Sequence, residues 1–550
     1  MKRTVGQRRN HMRRTARALS LAAGTALVAT LMLGACSSGG SSDSSSSTSG
    51  AAADNENDDD STTDNDTKSE AFTLSGPPNA DDVATPTIEG PITTGAGMAV
   101  VGPPKFDLST VGYVQEEFFL SGEATSYTSA EPLSQDGEWT VTPDASAPYT
   151  TRIVVRRPAD AADFDGTVIT EWFNVSGGLD ADPDWTYTHE EIVRSGAAWV
   201  GVSAQQAGIE GGGNPLGALL ALKNADPVRY GPLSHPGDDY SYDMFSQAGA
   251  AVWFAPEKIL GELVPDVVLA MGESQSAFRL TTYVNAVAPL NDVFDGYLVH
   301  SRAGSGAPLA AAAQPPLTAP DPTFSRTDLQ TPVLVFSAET DLVGNGLGYA
   351  RARQPDTESF AGWEVGGTAH ADAYSLGIGD TDDGSIAADT ALFDAMSTPP
   401  TSVYFGVITC ASPINTGPHT YVVRSALNAL MTWAREGTAP PAMPRLELDD
   451  SGNDFVRDAN GNAIGGIRTP QLDVPIAALS GLGQVGDSFC RLFGTTVPFT
   501  PEQLAAAYPD HDSFVSAWNE SLDSAVGSGA ILAADAEQLR TVAAESTIGD

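Results

Sequence analysis

A serine within a run of small turn residues is the first group in this sequence that could do chemistry. Residues 267–271 are apolar, residues 272–276 read G-E-S-Q-S, and a helix-compatible segment begins near Ser276. This order predicts a strand, a tight turn and a helix, which exposes the Ser274 hydroxyl beside a helix N-terminus. Glycine is usual where Ser276 stands, although serine is also small. The motif alone leaves two interpretations open, a nucleophilic Ser274 and an ordinary strand-to-helix turn.

A nucleophilic serine requires a base that takes its proton and an acid that orients the base. The predicted strand over residues 333–337 runs into Glu339 and Asp341, and a later strand over residues 362–365 runs towards His370. Ligands bind outside the carboxyl ends of strands in open α/β sheets, so these groups should meet Ser274 there. Either carboxylate taken alone is equally consistent with a solvated loop.

Acyl transfer also requires N–H donors for the oxyanion that forms on the reacting carbonyl. We expect the first donor to be the backbone N–H of Gln275, directly after the serine. The second should come from the small turn over residues 174–178, with the backbone of Val175 favoured and Asn174 as the alternate. A plain turn at residues 174–178 remains the competing interpretation.

The elements that must position these groups follow an alternating order. Antiparallel strands are predicted within residues 106–155, and strands then alternate with helices. The clearest predicted strands are 112–114, 117–120, 152–156, 167–172, 197–203, 295–299, 333–337 and 362–365, and the clearest helices are 185–195, 242–260 and 421–436. The pattern predicts an α/β fold, with a mostly parallel doubly wound sheet, an N-terminal β extension and C-terminal helical and hairpin additions.

Histidines and acidic turns elsewhere add little to this site. His300 could face the pocket, whereas His419 precedes a helix and His189 and His235 fit structural or surface roles. Residues 458–462 resemble the start of a calcium loop, but the later glutamate is absent, so we predict a hairpin turn and assign no metal. The chemistry proposed for Ser274 requires no cofactor.

The first 35 residues carry seven basic residues and no acidic one, followed by an apolar run from residue 18 to 35. This composition predicts a signal peptide, and residues 33–36, L-G-A-C, resemble a lipobox in which Cys36 is lipidated after cleavage. An uncleaved transmembrane anchor is the alternative. The Arg13-Arg14 pair weakly suggests twin-arginine export. We expect an exported protein held by lipid at the outer face of the cytoplasmic membrane or cell envelope.

The charge of the chain limits its partners. The net charge is -42, with 70 acidic and 28 basic residues, and the predicted leader holds seven of the basic ones. Nucleic acid is therefore excluded as a partner, and contact with the bilayer should come through the lipid on Cys36. Residues 36–74 lack the apolar side chains needed to fold and are predicted to form a disordered acidic tether.

Cys410 and Cys490 are the other two of the three cysteines. In an exported chain such cysteines persist as disulfides, so we predict that they pair. Two buried free thiols are the alternative.

Several longer runs together resemble a bacterial α/β-hydrolase domain family of esterase-like proteins. They are E-W-F-N-V-S-G-G, G-E-S-Q-S-A-F-R-L, E-T-D-L, R-Q-P-D and W-E-V-G-G-T-A-H-A-D, and similar runs extend the resemblance over about residues 75–545. The resemblance implies the α/β-hydrolase fold, one catalytic domain over residues 75–545, and a triad of Ser274, Asp341 and His370, with Glu339 as the alternate acid.

The resemblance does not imply a substrate. The function that we expect is a serine hydrolase that cleaves small or polymeric carboxylic esters through an acyl-enzyme. Two other functions stay open from the sequence. One is a surface-binding lipoprotein that kept the fold without catalysis. The other is a hydrolase of amide, lactone or polyester bonds.

Overall fold

The computed structural model describes residues 76–97, 104–212, 215–343, 347–403, 406, 408–486 and 489–550. The predicted signal peptide, Cys36 and the predicted tether lie outside these residues. Within the described residues, no helix is long and apolar enough to cross a membrane.

A nine-stranded sheet forms the centre of the structure, in the order β1-β2-β3-β5-β4-β6-β7-β8-β9. Strands β5, β4, β6, β7, β8 and β9 are parallel, and β1, β2 and β3 extend the sheet in antiparallel fashion at one edge. The strands are β1 Thr87–Glu89, β2 Tyr113–Thr128, β3 Thr142–Pro158, β4 Thr167–Trp172, β5 Ala198–Val202, β6 Val267–Glu273, β7 Gly296–His300, β8 Val333–Ala338 and β9 Phe360–Val365.

Helices cover both faces of the sheet. The helices are α1 Pro183–Ser195, α2 Gln206–Glu210, α3 Pro215–Leu220, α4 Leu222–Ala225, α5 Pro227–Tyr230, α6 Ser241–Phe254, α7 Pro256–Ile259, α8 Gln275–Ala286, α9 Ala288–Asn291, α10 Glu339–Leu342, α11 Ile386–Ser397, α12 His419–Glu436, α13 Pro470–Asp473, α14 Pro501–Ala507, α15 His511–Gly527 and α16 Ala533–Glu545. Two short hairpins complete the fold, β10 Ser402–Val403 with β11 Ile408–Thr409 and β12 Ala477–Ser480 with β13 Thr495–Pro498.

The central parallel strands are buried on both faces, which explains their continuous apolar runs. Alternate residues of β6 point to opposite faces: Val268 joins one core with α6 and α8, and Leu269 joins the other with α1 and α12. The second core also contains Phe514 and Trp518 of α15. The C-terminal helices therefore pack in the same core as the sheet.

The predicted fold class is confirmed. Most predicted elements agree with the structure to within a few residues, and three predictions differ. The strands expected at residues 112–114 and 117–120 are parts of one strand, β2. The strand expected over residues 152–156 is the last part of the longer β3. The helix expected over residues 242–260 is interrupted after Phe254, because Pro256 has no N–H to continue the hydrogen-bond ladder and begins α7 instead.

Candidate active site

The predicted turn at Ser274 lies between β6 and α8. Ser274 has φ 58° and ψ -116°, a conformation that side chains other than glycine rarely adopt. A Cβ at Gly272 would lie 3.1 Å from Cβ of Ser276, so the close approach of the two residues favours glycine at position 272. The turn forms with serine at position 276, and Ser274 follows the carboxyl end of β6.

Two short hydrogen bonds join Ser274, His370 and Asp341. The distance from His370 Nε2 to Ser274 Oγ is 2.7 Å, and that from His370 Nδ1 to Asp341 Oδ1 is 2.6 Å. Asp341 is fully buried, and its second oxygen accepts the backbone N–H of Ala338 at 2.7 Å. The structure thus brings together the three residues at the ends of β6, β8 and β9.

Glu339, the alternate acid, lies on the same turn but points elsewhere. Its carboxylate accepts the N–H of Gly367 at 2.6 Å, the N–H of Gly481 at 2.9 Å and the hydroxyl of Ser480 at 3.1 Å. It joins the loop after β9 to the β12 hairpin, whereas Asp341 contacts His370.

Val175, one of the two residues predicted to hold an oxyanion with its backbone, contacts the side chain of the other, Gln275. The N–H of Val175 donates to the Gln275 side chain at 3.4 Å. The Asn174 side-chain amide donates to the carbonyl of Glu273 at 3.1 Å and to its carboxylate at 3.3 Å. Asn174 therefore braces the turn, and Val175 borders the residue that follows Ser274.

A pocket open to solvent contains Ser274 and His370 in its lining. One part of the lining is polar and includes Asn174, Ser176 and Thr186. Another part is apolar and consists of Ala371, Leu376, Phe489, Leu492 and Phe493, which pack in one cluster. A substrate carbonyl could therefore reach the serine from solvent.

The sequence matches the family described as alpha/beta hydrolase domain over residues 88–541. The chain belongs to this family.

Three solved structures of esterases are similar to this hydrolase. Acetyl xylan esterase 1 from Thermoanaerobacterium sp. JW/SL YS485 is 14% identical, with a TM-score of 0.22 over 42% of this chain and 61% of that chain. Methylesterase BT1017 is 13% identical, with a TM-score of 0.27 over 52% of this chain and 54% of that chain. Glucuronoyl esterase from Solibacter usitatus is 13% identical, with a TM-score of 0.24 over 51% of this chain and 74% of that chain. The match thus spans less than two thirds of the first two structures. No curated protein sequence matches the chain.

Sequence reasoning did not single out Glu273 of the hydrolase, the residue before Ser274. Its carboxylate lies 3.2 Å from His370 Nε2, the same nitrogen that contacts Ser274. Burial raises the pKa of Glu273 to about 8, and the neighbouring His370 opposes that rise. Its place in the G-E-S-Q-S motif was visible in the sequence, but its contact with a histidine 97 positions away was not.

A buried network of hydrogen-bonded side chains lies next to the residues of the site. His300 Nδ1 lies 2.7 Å from the Asp184 carboxyl, His300 Nε2 lies 2.7 Å from His419 Nε2, and His419 Nδ1 donates to the Ala369 carbonyl at 2.8 Å. His300 is fully buried, so the expectation that it faces the pocket is wrong. His419 begins α12, and His189 and His235 are also buried.

The positions of the hydrogens in this network follow from its hydrogen-bond donors and acceptors. A carbonyl only accepts, so His419 carries its hydrogen on Nδ1 and accepts the His300 Nε2 hydrogen. Burial lowers the pKa of His300 to about 3 and raises that of Asp184 well above its usual range. His300 is therefore neutral and accepts a hydrogen from protonated Asp184. The Ser274 N–H donates to the backbone carbonyl of His300 at 2.9 Å. The backbone of Ser274 and that of Ala369, the residue before His370, therefore each contact a residue of this network.

A disulfide joins Cys410 and Cys490. The predicted turn at residues 458–462 is also present, because Arg457 and Ala463 pair in antiparallel fashion across it. Among the residues described, no group of three His, Cys, Asp or Glu side chains is placed to hold a metal ion.

Proposed function

We propose that this hydrolase cleaves carboxylic esters through an acyl-enzyme on Ser274. His370 Nε2 takes the serine proton while Oγ bonds to the acyl carbon, and Asp341 stabilises the resulting imidazolium. His370 then gives the proton to the departing alcohol oxygen. Water, activated by the same histidine, attacks the acyl-enzyme and releases the carboxylic acid.

One observation supports this proposal above the others: the pair of hydrogen bonds from Ser274 through His370 to Asp341 at the base of an open pocket. A nucleophile, a base and an orienting acid within hydrogen-bond distance match the requirements of acyl transfer.

The oxyanion would be held by the backbone N–H groups of Gln275 and Val175. The first lies at the start of α8, where N–H groups lack helical acceptors. The second is within 3.4 Å of the Gln275 side chain, which would move aside when a substrate oxygen replaces it. The Asn174 side-chain amide already donates hydrogen bonds to Glu273, so we favour Val175 over Asn174 as the second oxyanion donor.

Lipid anchoring belongs to the same proposal. A cleaved leader ending at residue 35 would leave lipidated Cys36 and an acidic tether before the hydrolase domain, residues 75–545. The strongly negative net charge would keep the domain itself away from anionic lipid surfaces. Ester substrates would therefore be met outside the cell, close to the envelope.

Covalent labelling tests the nucleophile directly. A fluorophosphonate probe should attach to the intact protein at Ser274, located by mass spectrometry of the peptide that contains residues 272–279. The His370→Ala variant should label far more slowly, because the serine then lacks its base. A probe attached to another serine, or no attachment under conditions that label a known serine hydrolase, would contradict the proposal.

The pH dependence tests the role of His370. Burial lowers the pKa of His370, but the Glu273 and Asp341 carboxylates raise it by more, against a smaller opposing effect of Arg491, and it lies at about 9. His370 acts as a base only when neutral, so kcat/KM should rise with pH up to about this value. The Glu273→Gln variant removes one negative neighbour, which should move the rise to lower pH by about one unit.

The measurement is kcat/KM for p-nitrophenyl acetate from pH 6 to 10, corrected for uncatalysed hydrolysis. Glu138→Gln is the matched control, because it removes the same charge from an exposed position outside the pocket. Identical pH profiles for the wild type and Glu273→Gln would show that Glu273 does not set the pKa of His370.

A further inference from the structure

The apolar side of the pocket belongs to a small structural unit of its own. Phe489, Leu492 and Phe493 line the pocket and pack with Leu376 and the two cysteines in a cluster separate from the two cores that flank the sheet. Leu492 and Phe493 lie two and three positions after Cys490, and the exposed Arg491 stands between. The disulfide to Cys410 therefore lies immediately behind the pocket lining.

Backbone hydrogen bonds attach this segment to the loop that carries His370. The Leu492 carbonyl accepts the N–H of Ala371 at 3.1 Å, and the Phe493 carbonyl accepts the N–H of Asn415 at 2.9 Å. A side chain at Gly494 would lie 2.7 Å from Cβ of Ala369, so the two segments approach closely. The position of the apolar side relative to His370 is thus set by the disulfide and by these contacts.

The polar part of the pocket lining contains two acidic residues that are paired with basic side chains. Asp182 there pairs with Arg156 at 2.6 Å, and Asp380 pairs with Lys105 at 2.9 Å. Neither acid is left to bind a cationic substrate alone, and the pocket lining contains no lysine or arginine among the described residues. Arg491, in the same segment as Leu492, is exposed and close enough to His370 to lower its pKa, but it does not line the pocket. The lining itself therefore offers an anionic group no cationic partner, and its apolar residues offer a surface to an apolar group.

We infer that Phe489, Leu492 and Phe493, which we name the disulfide-anchored wall, determine substrate choice by binding an uncharged apolar group of the ester. The inference rests on the proposed function and adds the class of substrate: esters with a medium-sized apolar acyl or alcohol group next to the reacting carbonyl. The Cys410–Cys490 disulfide fixes the wall in the cluster that packs behind the pocket.

The Leu492→Ala variant tests the wall. Leu492 is partly exposed and lines the pocket, so its truncation leaves the sheet cores intact. The substrates are p-nitrophenyl acetate and p-nitrophenyl hexanoate, which share a leaving group, together with methyl and hexyl acetate, which share an acyl group. We expect kcat/KM for p-nitrophenyl hexanoate, for hexyl acetate or for both to fall about 10-fold, mostly through KM. The kcat/KM for the matching short ester should change little.

Val497→Ala is the matched control for this variant. Val497 is 60% exposed on β13, four positions beyond Phe493, and does not line the pocket. It should leave both short and long esters unchanged. An equal loss for short and long esters in Leu492→Ala, or no loss for any ester, would overturn the inference.

Reduction of the disulfide gives a second test that requires no substitution in the pocket. Treatment of the wild type with dithiothreitol, followed by alkylation, should lower kcat/KM for the same long ester more than for the short one, and the Cys410→Ser/Cys490→Ser variant should reproduce that difference. Unchanged selectivity in both would overturn the role of the disulfide. Failure of the proposed function looks different, because wild-type protein would then neither label at Ser274 nor hydrolyse any ester of the panel.

Discussion

Ser274→Ala should lower kcat for p-nitrophenyl acetate by about 10⁵ to 10⁶-fold, the largest effect expected of any single substitution in this hydrolase. Alanine lacks the Oγ that would form the acyl-enzyme, and His370, 2.7 Å away in the wild type, would have no proton to accept. KM should change much less, because the pocket and the backbone donors remain. Initial rates measured by release of p-nitrophenolate, with enzyme at micromolar concentration, can detect such a loss.

Ser276→Ala is the matched control, with the same chemical change two residues along the same turn. The Ser276 hydroxyl is buried, and within the described part of the chain it has no hydrogen-bond partner. Its removal should leave kcat within about twofold, since nothing depends on that oxygen. Equal losses for the two variants would indicate that the turn, and not the Ser274 hydroxyl, is what the activity requires.

The sequence was sufficient for the features that depend on local order. The apolar run before Gly272 predicted β6, and G-E-S-Q-S predicted the turn that holds Ser274 at positive φ. Asp341 and His370 were found because each follows a strand, and parallel strands bring their carboxyl ends to one edge. Chain order and strand ends together thus placed three distant residues at one site.

Contacts between distant segments could not be found in this way. Glu339 and Asp341 share one turn, and only the side-chain directions show that one contacts Ser480 and the other His370. His300 and Asp184 are 116 positions apart, so no local sequence pattern could predict that they pair. Such contacts depend on how the loops pack after the sheet has formed.

The disulfide was predictable, but its relation to the pocket was not. The two cysteines other than Cys36, in a chain predicted to be exported, predicted the pairing of Cys410 with Cys490. The cluster that packs around this bond is built from loops and short hairpins, which have weak sequence patterns. The disulfide could therefore be predicted from the sequence, but the apolar surface that packs around it could not.

Asp341→Asn should lower kcat by about 10⁴-fold while the protein remains folded. In the wild type, Asp341 accepts the Ala338 N–H with one oxygen and faces His370 Nδ1 with the other. An asparagine would keep its carbonyl oxygen on Ala338 and turn its NH₂ group towards Nδ1. His370 would then carry its hydrogen on Nε2, where it cannot accept the proton of Ser274. The measurement is kcat together with the thermal unfolding midpoint.

Glu339→Gln separates the two candidate acids, because it makes the same change in the neighbouring carboxylate. Glu339 accepts the Gly367 N–H with one oxygen and the Gly481 N–H with the other, so a glutamine NH₂ group must face one of these donors. The free energy of unfolding should fall by about 1–3 kcal/mol, since a buried donor loses its acceptor. The kcat of the folded fraction should stay within about tenfold of the wild type, because Asp341 still orients His370. A variant pair with the opposite pattern, in which Glu339→Gln loses kcat and Asp341→Asn loses only stability, would assign the acid to Glu339.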